Sequence, residues 1–307
     1  HSHKYFYILY KPNPDVVYST LELTNLPNST LTKTHNLVMS RGIKIITREA
    51  NVLSSLDGGD TTKWLYNLID KAYTIVCRNT VDFVIANSPD TMKDVIDIRG
   101  VNAENISYVF NPVQLQNDDE IKPIRSKDSF VSEGIHIISV GRLTKQKNFI
   151  FLIEVIRFLR GKGVAISIDI YGVGELYDVL MEHIQAAGLD EYVVLKGYNE
   201  NIPFHKYDLF ALSSLWEGFG NVLVEALSKG LPVVSSDCSG GPKYIVSSSE
   251  CGELCELDVP KFSDAILRNI NNDSLERIKY RVNRSSEFSI TKISREYELL
   301  ISGVVND

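Results

Sequence analysis

From residue 135 onward the apolar positions alternate between two rhythms. IHIISV (135–140) is a short β-branched run, and KNFIFLIEVIRFLRGKG (147–163) follows with apolar residues at helical spacing and a stop at Gly161. VAISIDIYG (164–172) predicts the next strand and ELYDVLMEHIQAAG (175–188) the next helix, closed by Gly188. YVVLKG (192–197) and DLFALS (208–213) read as strands, NVLVEALSKG (221–230) as a helix beginning near Asn221, and PVVSSD (232–237) as a further strand. The segment beyond about residue 258 is helical and charged. Strands and helices in this alternation predict parallel βαβ units and a doubly wound sheet.

The first third follows the same plan less fully. PDVVYS (14–19), GIKIITR (42–48) and VDFVIANS (81–88) have the composition of buried strands. Between the last two, Trp64, Leu65, Leu68, Ile69, Ala72, Tyr73 and Val76 share one helical face. That face is expected to pack on its own sheet, and the flanking Lys63, Lys71 and Arg78 leave a peripheral membrane contact open. Residues 113–134 are polar with a charge run, and read as an inter-domain linker and the approach to the next strand. The expected division is an N-terminal α/β domain over 1–115, a second α/β domain over 116–285, and a terminal helix over 286–307.

Composition narrows the classes. The chain has 307 residues, 44% hydrophobic and 23% charged, as in a soluble globular protein. No apolar run reaches the ~18 residues of a membrane span, and the first residues show no signal-peptide cleavage pattern. The net charge is −7, and the excess is uneven: residues 1–115 hold 11 basic and 11 acidic side chains, the remainder 21 and 28. Nucleic acid is not the expected partner. Any anion bound in the acidic part must be held by locally placed cations and backbone amides. The four cysteines, Cys77, Cys238, Cys251 and Cys255, have no zinc-site spacing. Two or three of them are expected to be packing residues, in a cytoplasmic protein with no metal.

Two constellations carry chemistry. In VGRLTKQKN (140–148) a strand ends at Val140 and a helix begins near Asn148. Gly141 permits close backbone approach, and Arg142 and Lys147 stand beside a helix start at the carboxyl end of a strand, where α/β sheets bind ligands. Arg in fixed geometry and Lys as a point charge make a diphosphate clamp; the alternative is a solvated basic loop. In WEGFGNVLVEALSKG (216–230), Glu217 ends a loop and Glu225 lies eight positions on, one turn into the helix. The amides of Gly218, Phe219, Gly220, Asn221 and Val222 surround that helix mouth. A carboxylate there can accept hydrogen bonds from vicinal sugar hydroxyls; for Glu225 the alternative is compensation of the helix dipole. YGVGE (171–175) is not a dinucleotide fingerprint, because Tyr177 stands where its third glycine would be. No Asp-x-Asp follows a strand to hold a metal-bound nucleotide.

On these motifs residues 135–260 resemble the donor domain of the family-four retaining glycosyltransferases with the GT-B fold. GRLTKQKN after Val140, YGVGE, LKGYNE (195–200), EGFGNVLVEAL (217–227) and SSDCSGGPKYI (235–245) carry the resemblance. DFVIANSPDTMKDVI, ISYVFNPV (106–113) and FSITKISREYELLI (288–301) extend it to the end of a first domain, a hinge and a helix crossing back. The resemblance implies two Rossmann-like domains facing across a cleft. It implies that Arg142 and Lys147 bind the donor diphosphate and stabilise the leaving nucleotide, that Glu225 holds the ribose, and that Glu217 contacts the donor sugar near the reacting carbon. Gly197 and Tyr198 would meet the base. It implies a metal-independent reaction with no cofactor that keeps the anomeric configuration.

The chain departs from the family in two places. Gly241-Pro242 is followed by Lys243 and Tyr244 where the family has a glutamate, which puts a sugar contact there in doubt. The first domain lacks the opening strand, glycine-rich loop and long helix of the family, so it is expected to be incomplete. Arg48 and Glu49, at the end of IKIITRE, are the candidates for its side of the cleft. The leading expectation is transfer of a hexose or N-acetylhexosamine from a UDP-sugar to a glycan or lipid-linked acceptor, with peripheral contact at the inner face of a membrane. The alternatives are a non-catalytic nucleotide-sugar-binding subunit and a nucleotide-sugar epimerase.

Overall fold

The computed structural model describes residues 16–19, 44–50, 74–75, 81–115, 121–125, 130 and 132–306. The Trp64 face and Cys77 lie outside the described residues. The chain divides into two compact units, His1–Asn111 with Ile293–Asp307, and Pro112–Lys292. The sequence reading set these boundaries at 115/116 and 285/286.

The first unit holds a parallel sheet of β1 (Val16–Ser19), β2 (Lys44–Glu49), β3 (Phe83–Ala86) and β4 (Ile106–Tyr108), in that order. Helix α1 (Pro89–Asp94) is capped by Ser88, whose Oγ accepts from the Thr91 amide, and runs on into a π-helical turn, Val95–Arg99. On one part of this core, Ile46, Ile85 and Val109 pack against Ile293, Tyr297, Leu300, Ile301 and Val304 of the terminal helix.

The second unit is built on a six-stranded, wholly parallel sheet. Its elements in chain order are β5 (Ile135–Val140), α2 (Phe149–Gly161), β6 (Ile166–Tyr171), α3 (Tyr177–Ala186), β7 (Val193–Gly197), β8 (Leu209–Leu212), α4 (Asn221–Ser228), β9 (Val233–Ser236), α5 (Pro242–Ile245), β10 (Gly252–Cys255), α6 (Val259–Asn271), α7 (Leu275–Ser286) and α8 (Ile290–Asn306), whose last residues join the first unit. The strand order is β10-β9-β8-β5-β6-β7. The chain therefore reverses direction across the sheet between β8 and β5, and the carboxyl ends of these two strands frame the crevice where open α/β sheets bind ligands.

The helices lie where their apolar faces require. Phe149, Leu152, Ile153, Val155, Ile156 and Leu159 of α2 are buried on the sheet with Phe262, Ala265 and Ile266 of α6, each large side chain contributing about 1.5–3 kcal/mol. One local expectation needs correction. Lys147 is not in the first turn of α2; it closes a separate 3-10 turn, Lys145–Lys147, and Asn148 at φ 50° breaks the chain before Phe149. Asparagine tolerates this left-handed conformation, and the break turns Lys147 away from the helix axis.

The segment read as a linker is also not a free tether in its described part. Lys122 is buried and pairs with Asp273 at 2.7 Å, and its amide donates to the Lys229 carbonyl at 2.9 Å. Arg281, also buried, pairs with the same Asp273, and Arg125 pairs with Asp208 at 2.7 Å. Lys122 and Arg125 thus dock this segment onto the second unit. Cys251 and Cys255 are buried and free, and Cys255 belongs to the main core.

Candidate functional site

The loops after β5, β6, β7, β8 and β9 leave the carboxyl end of the second sheet, as does the short connection from β10 to α6. The β5 and β8 loops are stitched together across the reversal. The Leu215 amide donates to the Gln146 carbonyl at 2.8 Å, Gln146 Nε2 to the Trp216 carbonyl at 2.8 Å, and Ser213 Oγ to the carbonyls of Lys147 and Asn148 at 2.9 and 3.0 Å. This ladder brings Lys147 to Glu217, and their side chains form an ion pair that is almost wholly buried. The aliphatic stem of Lys147 lies over Gly141: a methyl group placed there would come within 3.1 Å of it. The space that Gly141 leaves thus seats Lys147.

The β9 loop closes the other side of Glu217. The Glu217 amide donates to the Ser239 carbonyl at 3.0 Å, and the Gly241 amide to the Gly218 carbonyl at 3.2 Å. Gly240 sits at φ 112°, and a Cβ there would lie 1.7 Å from the Glu217 carbonyl oxygen. Only glycine allows this approach. The same holds at the β6 loop, where Gly172 at φ 145° would set a Cβ 1.8 Å from the Gly141 carbonyl oxygen. Gly172 in turn donates to the Gly197 carbonyl at 2.8 Å, which ties the end of β7 into the same rim.

The sequence-predicted residues divide by role. Lys147 and Glu217 are in contact. Arg142 is exposed and its side chain has no hydrogen-bond or ion-pair partner among the described residues, so its guanidinium is available to an anion. Glu225 is half-buried on the first turns of α4, its carboxylate has no partner among the described residues, and burial holds its pKa above the usual carboxylate range. An unpartnered, partly desolvated carboxylate is costly unless a ligand supplies donors. Gly218, Phe219 and Gly220 are buried, Phe219 stacking edgewise on Phe288 at 5.5 Å. Gly220 stands at the N-cap of α4, where no side chain caps the first turn, so Asn221 and Val222 open a helix mouth that favours anions. Tyr198 is 70% exposed, and its hydroxyl donates to Glu200 Oε1 at 3.4 Å.

Arg48 and Glu49 lie in the first unit at the end of β2. Arg48 donates through Nε to Tyr297 Oη at 2.8 Å and through Nη2 to Asn111, while Glu49 is buried. One Arg48 donor thus ties the terminal helix to β2, and the other ties the segment after β4 to it. Lys243 is exposed, its ammonium 5.2 Å from the Tyr244 ring, and the Tyr244 carbonyl accepts from Arg284. Among the described residues no group of three or more His, Cys, Asp or Glu side chains is arranged to hold a metal ion.

Sequence reasoning missed Ser214, Ser236 and Cys238. Ser214 Oγ donates to Glu217 Oε1 at 2.5 Å, and Ser236 Oγ donates to the Ser214 carbonyl at 2.5 Å. The signal was there: each serine ends a buried apolar strand, in ALSS and VVSSD, where a polar side chain must find a partner. Cys238, half-buried in the β9 loop, has its thiol pushed up to about 11 by burial and by the nearby Glu217 charge. It is therefore a poor nucleophile at neutral pH.

Comparison with known proteins gives consistent matches. The family model for "Glycosyl transferases group 1" matches residues 120–284. The chain is 29% identical over 238 residues to the Campylobacter jejuni N-acetylgalactosamine-N,N'-diacetylbacillosaminyl-diphospho-undecaprenol 4-alpha-N-acetylgalactosaminyltransferase, covering 75% of this chain and 62% of that protein. It is 30% identical over 258 residues to the Escherichia coli UDP-Gal:alpha-D-GlcNAc-diphosphoundecaprenol alpha-1,3-galactosyltransferase, covering 80% and 64%. The chain thus spans a little over six-tenths of the length of these relatives. The crystal structure of Anabaena Alr3699/HepE in complex with UDP superposes with a TM-score of 0.75 at 18% identity, over 94% of this chain and 79% of that one.

Proposed function

The chain belongs to the group 1 glycosyl transferases, and on that footing we propose that it transfers a hexose or N-acetylhexosamine from a UDP-sugar to a glycan or lipid-linked acceptor, with retention of the anomeric configuration. Its α/β fold, two units on parallel sheets, is that of the GT-B glycosyltransferases. The observation that carries the proposal is the pairing of Lys147 with Glu217 at the reversal between β5 and β8, together with a Glu225 carboxylate that has no partner among the described residues.

In this reading Arg142 and Lys147 take the diphosphate. The first turn of α4 adds amide dipoles, and Glu225 accepts the ribose hydroxyls. Glu217 meets the sugar, and the rim at Gly197 and Tyr198 meets the uracil. The bond between the anomeric carbon and the β-phosphate oxygen breaks, and UDP leaves with the electron pair. The acceptor oxygen bonds to the same carbon, and its proton passes to the departing phosphate. The two cations stabilise the charge that grows on UDP, an electrostatic role commonly worth several kcal/mol. With this charge met by side chains, the reaction needs neither metal nor cofactor.

The two named relatives act on diphospho-undecaprenol-linked sugars, which favours a lipid-linked acceptor. No helix of the described residues is long and apolar enough to cross a membrane. The proposed contact with such an acceptor is peripheral, at the inner face of the membrane. The test is a donor screen read by mass spectrometry, with a panel of nucleoside-diphosphate sugars offered with and without lipid-linked acceptors. Transfer from a UDP-sugar is expected. Release of nucleoside diphosphate from no donor would sink the proposal, and a changed donor sugar without acceptor would make the protein an epimerase.

A further inference from the structure

Resting on the donor reading above, we infer that Ser214 is a positioning residue that decides which oxygen of Glu217 faces the donor sugar. Ser214 lies just beyond β8 and is fully buried. Its Oγ donates to Glu217 Oε1 at 2.5 Å, and the Lys147 ammonium donates to that same oxygen. Two donors fill the lone pairs of Oε1. Glu217 Oε2 has no partner among the described residues, yet it is not one of the polar atoms sealed from solvent without a partner. Oε2 is therefore the open acceptor of a carboxylate that is otherwise buried.

Lys147 alone cannot make this choice. The terminal torsion of a glutamate is broad, and an ammonium on a flexible stem binds either oxygen as a point charge. The hydroxyl of Ser214 has less freedom: it sits on a single staggered torsion of a fully buried side chain, and Ser236 at the end of β9 holds the Ser214 backbone by donating to its carbonyl at 2.5 Å. The chain Ser236–Ser214–Glu217 starts on one buried strand, crosses to the end of its neighbour, and ends on the carboxylate. A site is held to working tolerance when its groups are fixed in this way from rigid elements.

The test is calorimetric, on the full chain, with UDP and with UDP-glucose, UDP-galactose and their N-acetylated forms. Ser214→Ala is expected to weaken the preferred UDP-sugar about tenfold, the size of one hydrogen bond to a charged group, and to change UDP affinity less than twofold. Ser214→Thr keeps the hydroxyl and is expected to restore most of the loss. If Ser214→Ala does not fold, Ser236→Ala is expected to give a loss of about threefold in the same direction. Because the effect runs through Glu217, Ser214→Ala added to Glu217→Gln is expected to cost nothing further. Equal effects on UDP and the UDP-sugar, or losses that add fully to those of Glu217→Gln, would overturn the inference, as would a wild-type protein that binds UDP but none of the four sugars. Wild-type protein that binds no UDP would overturn the donor reading itself.

Discussion

Lys147 and Glu217, seventy positions apart in the chain, form a nearly buried ion pair at the reversal of the second sheet. Each is held in place by the other's loop. The pair is both a structural tie and the floor of the proposed donor site. Removing one partner strands a charge out of water. Lys147→Met is expected to lower stability by about 2–4 kcal/mol, and Glu217→Gln, which keeps a hydrogen-bonding amide, by clearly less. The double variant is expected to be more stable than Lys147→Met alone. Chemical denaturation of the set measures this, and strictly additive losses would show that the two side chains do not depend on each other.

Arg142 makes the opposite prediction. It is exposed and unpartnered among the described residues, so Arg142→Ala is expected to shift stability by no more than about 0.5 kcal/mol. UDP affinity is expected to fall about 10- to 100-fold, as for a lost charge-assisted contact, while uridine, which lacks the diphosphate, binds unchanged. Uridine and UDP losing affinity together would place Arg142 away from the phosphates.

Glu225 links function to a stability cost. Burial raises its pKa in the folded protein. A carboxyl with a raised folded-state pKa favours folding fully below its unfolded value near 4.5, and that contribution is lost as pH rises through the folded value. Glu225→Gln removes the penalty of burying the charge. The variant is expected to gain Tm relative to wild type as pH rises from 4.5 to 7, by roughly 2–4 °C at the upper end, and to bind UDP about tenfold more weakly. A Tm difference that is flat with pH would contradict the assignment.

Gly240 tests how finely the loop is set. A Cβ at this position would lie 1.7 Å from the Glu217 carbonyl oxygen, so Gly240→Ala must push the Glu217 backbone away. A displacement of about 1 Å at a reacting centre costs on the order of 100-fold in rate. Turnover by a soluble Gly240→Ala protein within threefold of wild type would contradict the geometry.

The alternation of strands and helices in residues 135–237 was legible because their apolar faces repeat cleanly and glycines mark the stops. Strand β10 was not, since GELC is four residues long and its one cysteine suggests packing without saying on what. Helix α5 is a single turn beginning at Pro242, too short to show a period. Arg142, Lys147, Glu217 and Glu225 were legible as motif residues, but their relationships were not. Nothing local says that β8 lies beside β5, and that adjacency is what puts Glu217 against Lys147. Likewise the Asn148 break that turns Lys147 over Gly141 depends on a left-handed residue inside what reads as a helix start. The acceptor of Ser214 was not legible for the same reason: it is fixed by the β9 loop, and a serine at a strand end announces a need for a hydrogen bond without naming its partner.

Calorimetric titration of UDP into the full chain, the Lys147→Met variant and the Glu225→Gln variant tests the donor site most directly. Binding at one site with a Kd in the roughly micromolar range, lost in Lys147→Met and weakened in Glu225→Gln, is the predicted result. No binding of UDP, or binding that both variants leave unchanged, would contradict it.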